Sequence, residues 1–155
     1  MTSEQRDSLN HFFVTTFNKI GMMEESALKR SGCSDLTLKE LHTIEAVAEL
    51  EEEGRNTMSQ IAARLSISVG ALTTAIQTLV KKGYLERRRP QNDHRIVLVF
   101  LTENGRAAEC RHRGFHEEMV QSIGDSLSGD RLDSLIASLK LLSEFFENKS
   151  EEIRS

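Results

Sequence analysis

Apolar residues recur every three or four positions along most of this chain, and this spacing predicts a mainly helical protein. The first apolar stripe runs from Ser3 to about Arg30. Gly32 is its predicted stop, because glycine accepts the left-handed conformation that follows many helices. Two more helices are predicted later, one that Thr102 caps and that runs through Arg106–Ile123, and a last one that Ser128 caps. The apolar residues of the last helix recur at a period of about 3.5 residues, which is typical of helices that pack along a partner.

Two capping boxes mark where the central helices begin. Thr37 and Glu40 form the first in the sequence TLKE, and Thr57 and Gln60 form the second in TMSQ. In each box the threonine caps the helix while the side chain three residues later reaches back to it. The charge run Glu51–Gly54 follows the first of these helices and predicts a solvated turn.

The segment Asn56–Gly83 has the pattern of a helix-turn-helix, two short helices joined by a turn at Ser66-Ile67-Ser68. We expect Ile67 to be the buried plug of this turn and Ser68 to cap the second helix. Ser66 stands where such turns often carry glycine, so we expect a slightly different backbone conformation there. The residues predicted to pack inward from the second helix are Leu72, Ala75, Ile76 and Leu79.

The outward face of the second helix is small, mildly polar and free of acidic residues, and it comprises Val69, Gly70, Ala71, Thr73, Thr74 and Gln77. Such a face suits close approach to base edges and phosphates in a major groove. The alternative is an ordinary amphipathic helix whose surface has no binding function.

The segment Tyr84–Thr102 predicts two strands that flank a basic loop with its tip at Pro90–Asp93. Three arginines, Arg87–Arg89, lead into the loop, and Asp93 precedes Arg95 by two residues. We infer that Asp93 pairs with Arg95 and orients its guanidinium toward a DNA minor groove. The alternative is a surface ion pair without a partner.

The charge distribution supports a nucleic-acid partner although the whole chain is acidic. There are 20 Lys and Arg against 24 Asp and Glu, a net charge of −4. Residues 55–95 hold eight basic and two acidic side chains, so this segment carries +6 and the remainder carries −10. Affinity for DNA depends on local neutralisation of phosphates, so a basic centre in an acidic frame is compatible with DNA binding.

Signals for catalysis or membrane insertion are missing from the sequence. It has no nucleophile elbow, phosphate-binding glycine loop or acid pair, so we predict neither an enzyme nor a cofactor. No apolar run approaches the roughly 18–20 residues of a membrane span. The polar start MTSEQRDSLN does not resemble a signal peptide, and the expected location is the cytoplasm.

The cysteines and histidines do not form a metal-binding motif in the sequence. Cys33 and Cys110 are far apart, which predicts reduced thiols, with a redox switch at Cys33 as the alternative. His112 and His116 are four residues apart on one helix, a spacing that can bind zinc, but no third ligand is near them in the sequence. We interpret them as solvent-facing or interface histidines and predict no metal.

The order of elements resembles the MarR family of bacterial transcriptional regulators. Its most specific segments are GALTTAIQTLVKKGYLERRR and NDHRIVLVFLTENG. The second is similar to the family's wing signature at Asp93, Arg95, Leu101, Thr102 and Gly105. The resemblance implies a mainly α fold with a small β-hairpin, a winged helix-turn-helix with N- and C-terminal dimerisation helices. It also implies a homodimer that sets one recognition helix, Val69–Lys82, on each half of a pseudo-palindromic operator.

This organisation divides the chain into three parts: a dimerisation helix at 1–36, a DNA-binding lobe at 37–101 and dimerisation helices at 102–155. We predict phosphate contacts from Thr57, Ser59, Ser68, Thr73, Lys81, Lys82, Arg87 and Arg89. Base reading is predicted from Gly70, Ala71, Thr74 and Gln77, and minor-groove reading from Arg95 supported by Asp93.

A narrower resemblance concerns the effector. The segments KELHTIEAV, LVKKGYLERRR and GFHEEMV are similar to FabT-type repressors of fatty-acid synthesis genes, which implies an acyl chain on acyl carrier protein as the effector. The candidate residues for such a channel are Phe12, Phe13, Phe17, Met22, Met23, His42, Ile44 and Val47. The alternatives are plain core or interface residues, a different apolar or phenolic ligand, a response to oxidation, or an interaction module that does not bind DNA.

Overall fold

The structure is a computed structural model that describes residues 1–91, 93 and 95–154. Asn92 and His94, which belong to the predicted wing loop, lie outside the described residues, as does Ser155. The elements are α1 (Ser3–Arg30), α2 (Leu38–Glu52), α3 (Met58–Arg64), α4 (Val69–Lys81), β1 (Leu85–Arg88), β2 (Leu98–Leu101), α5 (Glu103–Asp125) and α6 (Gly129–Arg154). They form two compact units, Met1–Phe115 and His116–Ser155, and α5 contributes to both.

The predicted helix starts are confirmed by the cap geometry. Thr37 accepts a hydrogen bond from the Glu40 amide while the Glu40 side chain accepts from the Thr37 amide, and Thr57 and Gln60 repeat the arrangement. Ser68 caps α4 by accepting from the Ala71 amide at 3.1 Å. These caps are local, which explains why the sequence pattern identifies them.

Two glycines end helices as the sequence predicts. Gly32 follows the cap residue of α1 with φ of +79°, and Gly83 follows that of α4 with φ of +82°. Both values lie in the left-handed region, where a side chain would be strained.

The core of the first unit lies between α2, α3, α4 and the hairpin. The predicted inward positions of α4 are confirmed at Leu72, Ile76 and Leu79, which have no exposed surface, and Ala75 is half-buried. They pack with Ile44 and Val47 of α2, Ile61 of α3 and Val99 of β2. The helix-turn-helix therefore packs on a buried apolar core, and this packing fixes the orientation of α4.

The turn between α3 and α4 differs from the sequence prediction in two ways. Ile67 is 41% exposed and is not a buried plug, because Ala62 and Leu72 occupy the core where the helices meet. At Ser66 we expected a slightly different backbone conformation, but its φ of +59° lies in the left-handed region that glycine usually occupies in such turns. The turn therefore keeps its usual geometry, and the backbone of Ser66 is strained because serine carries a side chain.

The hairpin is antiparallel and shorter than predicted. Leu85 pairs with Leu101 and Arg88 pairs with Leu98, so that the second strand begins at Leu98 and not at Ile96. Asn56 holds the hairpin to the start of α3. The Asn56 side-chain amide donates to the Val99 main-chain carbonyl at 2.7 Å, and the Asn56 main-chain carbonyl accepts from the Val99 amide at 3.0 Å.

The fifth helix begins at Glu103, directly after its predicted cap, and Thr102 confirms that role by accepting a hydrogen bond from the Gly105 amide at 3.2 Å. A Cβ at Gly105 would lie 2.2 Å from the Tyr84 carbonyl oxygen, so the close approach of α5 to the hairpin requires glycine. In the described part of the chain, no single helix has the length and apolarity to cross a membrane. Only α3 and α4 taken together, with a bend of 103° between them, meet that criterion.

Candidate nucleic-acid interface

The outward face of α4 is confirmed as an exposed surface. Gly70, Ala71, Thr74 and Gln77 are exposed, and Val69 is 47% exposed at the start of the helix. The threonine hydroxyls of this helix donate to carbonyls one turn earlier, as Thr73 Oγ1 does to Val69 at 2.8 Å. The face is thus low in relief and uncharged, so it can approach a groove without repelling phosphates.

The wing carries the inferred pair of Asp93 and Arg95. Arg95 Nε lies 3.1 Å from Asp93 Oδ1, and the Arg95 amide donates to the same oxygen at 3.0 Å. Hydrogen bonds from the Arg95 side chain and then from its amide hold the pKa of Asp93 below its ordinary value. Arg95 Nη2 also donates to Asp93 Oδ2 at 3.4 Å, so the pair fixes the direction of the guanidinium while the Arg95 side chain remains 92% exposed.

The other arginines of the hairpin are placed differently from one another. Arg87 donates to the Thr73 carbonyl at 3.1 Å and joins the first strand to the recognition helix. Arg88 pairs with Glu86 and lies over the ring of Phe100 at 4.6 Å. Arg89 is exposed at the beginning of the loop. Arg87 and Arg89 therefore present positive charge beside α4, whereas Arg88 packs on the hairpin.

The predicted phosphate contacts outside the wing fall into two groups. Ser59, Ser68 and Lys81 are exposed, whereas Thr57 is half-buried and its hydroxyl donates to Gln60 Oε1 at 2.7 Å. Lys82 is different: its Nζ donates to Glu40 Oε2 at 2.8 Å and also contacts the Asp35 carbonyl. Its amino group is held inside the lobe, so its prediction as a phosphate contact is corrected to a structural role.

The polar network at the end of α4 was not predicted from the sequence. Tyr84 donates its hydroxyl to Asp35 Oδ1 at 2.8 Å, and burial together with this acceptor raises the pKa of Tyr84. Burial also raises the pKa of Glu40, but the hydrogen bonds from Lys82 and Thr37 outweigh it and leave the pKa below its ordinary value. Only the capping role of Glu40 was visible locally, because its partner Lys82 is 42 residues away.

The residues predicted for an acyl channel lie in two different environments. Ile44 and Val47 have no exposed surface and belong to the core of the first unit. Four of the predicted residues are exposed on α1, namely Phe12, Phe17, Met22 and Met23. Phe13, also on α1, stacks on Phe17 with a ring-centroid distance of 5.9 Å. None of the eight predicted residues lines the small cavity of about 30 Å³ beside Leu28, Ala108 and Phe115.

The histidines are a second point of correction. His112 is 6% exposed, so the solvent-facing position that we allowed for it is wrong. It lies against Glu24 of α1 and His42 of α2, two residues that are remote in the sequence. A local signal for this buried contact is present in the sequence, because the acidic Glu24 occupies the apolar stripe of α1 four residues before the buried Leu28.

An exposed, acid-free helix beside a basic hairpin, both set on a helix-turn-helix core, defines a winged helix-turn-helix DNA-binding protein. The sequence pattern of the MarR family matches residues 36–97. The chain belongs to the MarR family and is a DNA-binding transcriptional regulator.

Solved structures that are similar to this chain include complexes with DNA. The crystal structure of Streptococcus pneumoniae FabT in complex with DNA is similar with a TM-score of 0.85 and 32% identity, over 92% of this chain and 98% of that one. This likeness supports the FabT-type resemblance. The S. aureus MepR–DNA complex has a TM-score of 0.70 at 21% identity, over 88% of this chain and 97% of that one, and shows the fold alone.

Curated relatives agree on the class. The transcriptional regulator SarZ of Staphylococcus haemolyticus is 29% identical over 68% of this chain and 69% of its own length. The multiple antibiotic resistance protein MarR of Escherichia coli is 40% identical over 49% of this chain and 54% of its own length. The chain thus spans between about half and two-thirds of the curated relatives that it matches.

Proposed function

We propose that this chain is a homodimeric repressor that binds a pseudo-palindromic operator, with α4 in a major groove and Arg95 in the adjacent minor groove. The observation that carries the proposal is the Arg95 guanidinium, which Asp93 orients while 92% of the side chain stays exposed. A fixed, accessible arginine on a hairpin next to a recognition helix suits the narrow, electronegative minor groove.

The remaining contacts follow from the exposed surfaces. Base edges are read by Gly70, Ala71, Thr74 and Gln77, which lie on the exposed face of α4. Phosphates are bound by Thr57, Ser59, Ser68, Thr73, Lys81, Arg87 and Arg89, and Lys82 is left out because Glu40 holds it. Because several phosphates are neutralised per subunit, operator affinity falls steeply with salt concentration.

The apolar surface of the helices supports a dimer. On α1 the exposed apolar side chains include Leu9, Phe12 and Phe17. In the second unit they include Val120, Ile123, Leu139, Leu141, Phe145 and Phe146. Apolar faces of this extent are disfavoured on a lone chain in water, and a second copy is the partner that the helical repeat of α6 suits.

The effector that we propose is a long acyl chain carried on acyl carrier protein, and the regulated genes are those of fatty-acid synthesis. The similarity to FabT supports this assignment. Ligand sites usually hold about 300–1,000 Å³, so the cavity of about 30 Å³ beside Leu28, Ala108 and Phe115 is too small for such a chain, whereas the open groove beside Leu9 and Phe12 has about 450 Å³. We therefore place the acyl site on the exposed aromatic face of α1, where a second protomer completes it.

The test is a fluorescence-anisotropy titration of the dimer with a duplex from the promoter region of fatty-acid synthesis genes. A duplex of the same composition in scrambled order is the control for sequence specificity. Acyl carrier protein loaded with a long acyl chain should change operator affinity, and unloaded carrier should not. Equal affinity for both duplexes contradicts the DNA-binding mode, whereas sequence-specific binding that no acylated carrier alters contradicts only the effector.

A further inference from the structure

The start of the recognition helix carries two exposed apolar side chains that the DNA contacts proposed above do not use. Ile67 lies in the turn before α4 and is 41% exposed, and Val69 is the first residue of α4 and is 47% exposed. We propose that both side chains pack against C5-methyl groups of thymine in the major groove, so that each operator half-site has thymines where α4 begins. This inference rests on the proposed DNA-binding function and names the bases that it recognises.

The two side chains lie in the part of a helix-turn-helix that meets base edges. In motifs of this kind the N-terminal residues of the recognition helix contact the bases. Ser68, which stands between Ile67 and Val69, is exposed, and so are Gly70 and Ala71. The stretch 67–71 therefore presents apolar groups to solvent with no charged side chain among them.

The main chain holds both side chains in place. The Ile67 amide donates to the Ala62 carbonyl at 3.0 Å, and the Ser68 hydroxyl accepts from the Ala71 amide at 3.1 Å directly beside Val69. Isoleucine and valine are also stiff at χ1, because both branch at Cβ. The apolar surface is thus largely fixed before DNA binds, and little side-chain entropy is lost in the complex.

Thymine is the base whose major-groove edge suits such a surface. Among the four bases of DNA it alone carries a methyl group there, whereas the others are distinguished by hydrogen-bonding groups. An isoleucine or valine that covered a polar edge would displace water without replacing its hydrogen bonds. Against a methyl group the same side chain removes apolar surface from water, which stabilises the complex.

Guanine is disfavoured at the same positions. It is usually recognised by the paired donors of an arginine or by a lysine. Every residue of α4 is described, and its charged side chain is Lys81 in the last turn. Arg87, which reaches α4 from the hairpin, donates to the main-chain carbonyl of Thr73 at 3.1 Å. The first two turns of α4 therefore offer no guanidinium or amino group of their own to guanine.

Gln77 extends the preference for A·T pairs along the helix. Its side chain is exposed, and a glutamine amide can donate and accept at once, which matches N7 and the N6 amino group of adenine. Eight residues separate Gln77 from Val69, about 12 Å along the helix axis, so the two side chains meet different base pairs. The half-site that fits α4 is therefore rich in A·T pairs.

The experiment removes the methyl group from the DNA and the apolar group from the protein. The full-length wild type first selects its operator from a library of random duplexes. Each thymine position of that operator is then replaced in turn, in both half-sites, by 2′-deoxyuridine, which pairs like thymine but lacks the methyl group. Anisotropy titrations should show a loss of about fourfold in affinity per methyl group at one or two neighbouring positions of each half-site.

Two protein variants complete the cycle. Val69→Ala and Ile67→Ala should each weaken binding to the thymine operator and should each lose the sensitivity to deoxyuridine at one of those positions. Val80→Ala is the matched control, because Val80 is a 37% exposed valine in the last turn of the same helix. It should keep the full deoxyuridine losses. Circular dichroism verifies the fold of each variant.

The inference is overturned if the wild type binds the deoxyuridine duplexes as tightly as the thymine operator. It is also overturned if the losses persist unchanged in both Val69→Ala and Ile67→Ala. Either result leaves sequence-specific binding intact and counts against the methyl contact alone. A library that yields no preferred sequence overturns the proposed function together with this inference.

Discussion

One carboxylate oxygen, Glu40 Oε2, accepts hydrogen bonds at 2.8 Å from both the Lys82 amino group and the Thr37 amide. The start of α2 and the end of the recognition helix thus share an anchor. Both side chains are mostly buried, with 27% of Lys82 and 15% of Glu40 exposed. The pair is therefore better shielded from solvent than an ordinary surface ion pair.

The first prediction concerns stability. Lys82→Met should lower the free energy of unfolding by about 1–3 kcal/mol, because it leaves a mostly buried carboxylate without its charged donor. Urea unfolding followed by circular dichroism at neutral pH measures the change. Lys81→Met is the matched control on the exposed side of the same helix and should change stability little. Equal losses from the two variants would contradict the role of the pair.

The second prediction is a pH dependence of the same pair. The folded pKa of Glu40 lies below its ordinary value of 4.5, so its stabilising contribution is present above that value. The contribution is lost as the pH falls through the folded pKa. The stability difference between wild type and Glu40→Gln should therefore be full at neutral pH and shrink in acid, measured by urea unfolding across that range. A stability difference between wild type and Glu40→Gln that grows in acid would contradict the prediction.

The third prediction concerns the wing. Arg95→Ala should weaken operator binding by about 1–3 kcal/mol while the oligomeric state stays unchanged. Asp93→Asn should weaken it less, because the arginine remains but loses its fixed direction. The double variant should be no weaker than Arg95→Ala, since Asp93 acts through Arg95. Arg131→Ala, which removes an exposed arginine of α6, should leave the anisotropy titration unchanged.

An additive loss in the double variant would show that Asp93 acts independently of Arg95. If Arg95→Ala binds the operator with wild-type affinity, Arg95 does not contact the DNA. Sedimentation velocity of each variant separates a loss of DNA contact from a loss of assembly.

The fourth prediction uses two glycines of α5. Gly105→Ala should destabilise the fold by about 1–3 kcal/mol, because its Cβ would lie 2.2 Å from the Tyr84 carbonyl oxygen. Gly114→Ala meets nothing within 4 Å and should gain up to about 1 kcal/mol from helix propensity. Thermal unfolding of the two variants should thus shift in opposite directions. A neutral Gly105→Ala would mean that α5 does not approach the hairpin so closely.

The fifth prediction concerns the turn. Ser66 has a φ of +59°, and the left-handed conformation of a non-glycine residue costs roughly 1–2 kcal/mol. Ser66→Gly should therefore stabilise the protein slightly, whereas Ser59→Gly inside α3 should destabilise it by about 0.5–1 kcal/mol. Chemical unfolding should give opposite signs for the two serines. Destabilisation by Ser66→Gly would show that the serine side chain, and not the backbone, matters there.

Features set by near neighbours could be predicted from the sequence. The capping boxes at Thr37 and Thr57 and the pair of Asp93 and Arg95 each involve residues two or three apart, and all were confirmed. The apolar period of α4 also identified its buried and exposed faces. Spacings of this kind are fixed by helix and turn geometry, so they can be deduced before any tertiary packing is known.

Tertiary packing decided the rest. Lys82 looks like an exposed cation in the sequence, but packing brings it to Glu40, 42 residues away. Ile67 looks like a core residue, but the close contact of α3 and α4 leaves it 41% exposed. Glu24 and His112 come together across 88 residues. Each outcome depends on which helix faces meet, and that choice is set by burial of the whole core and not by any local pattern.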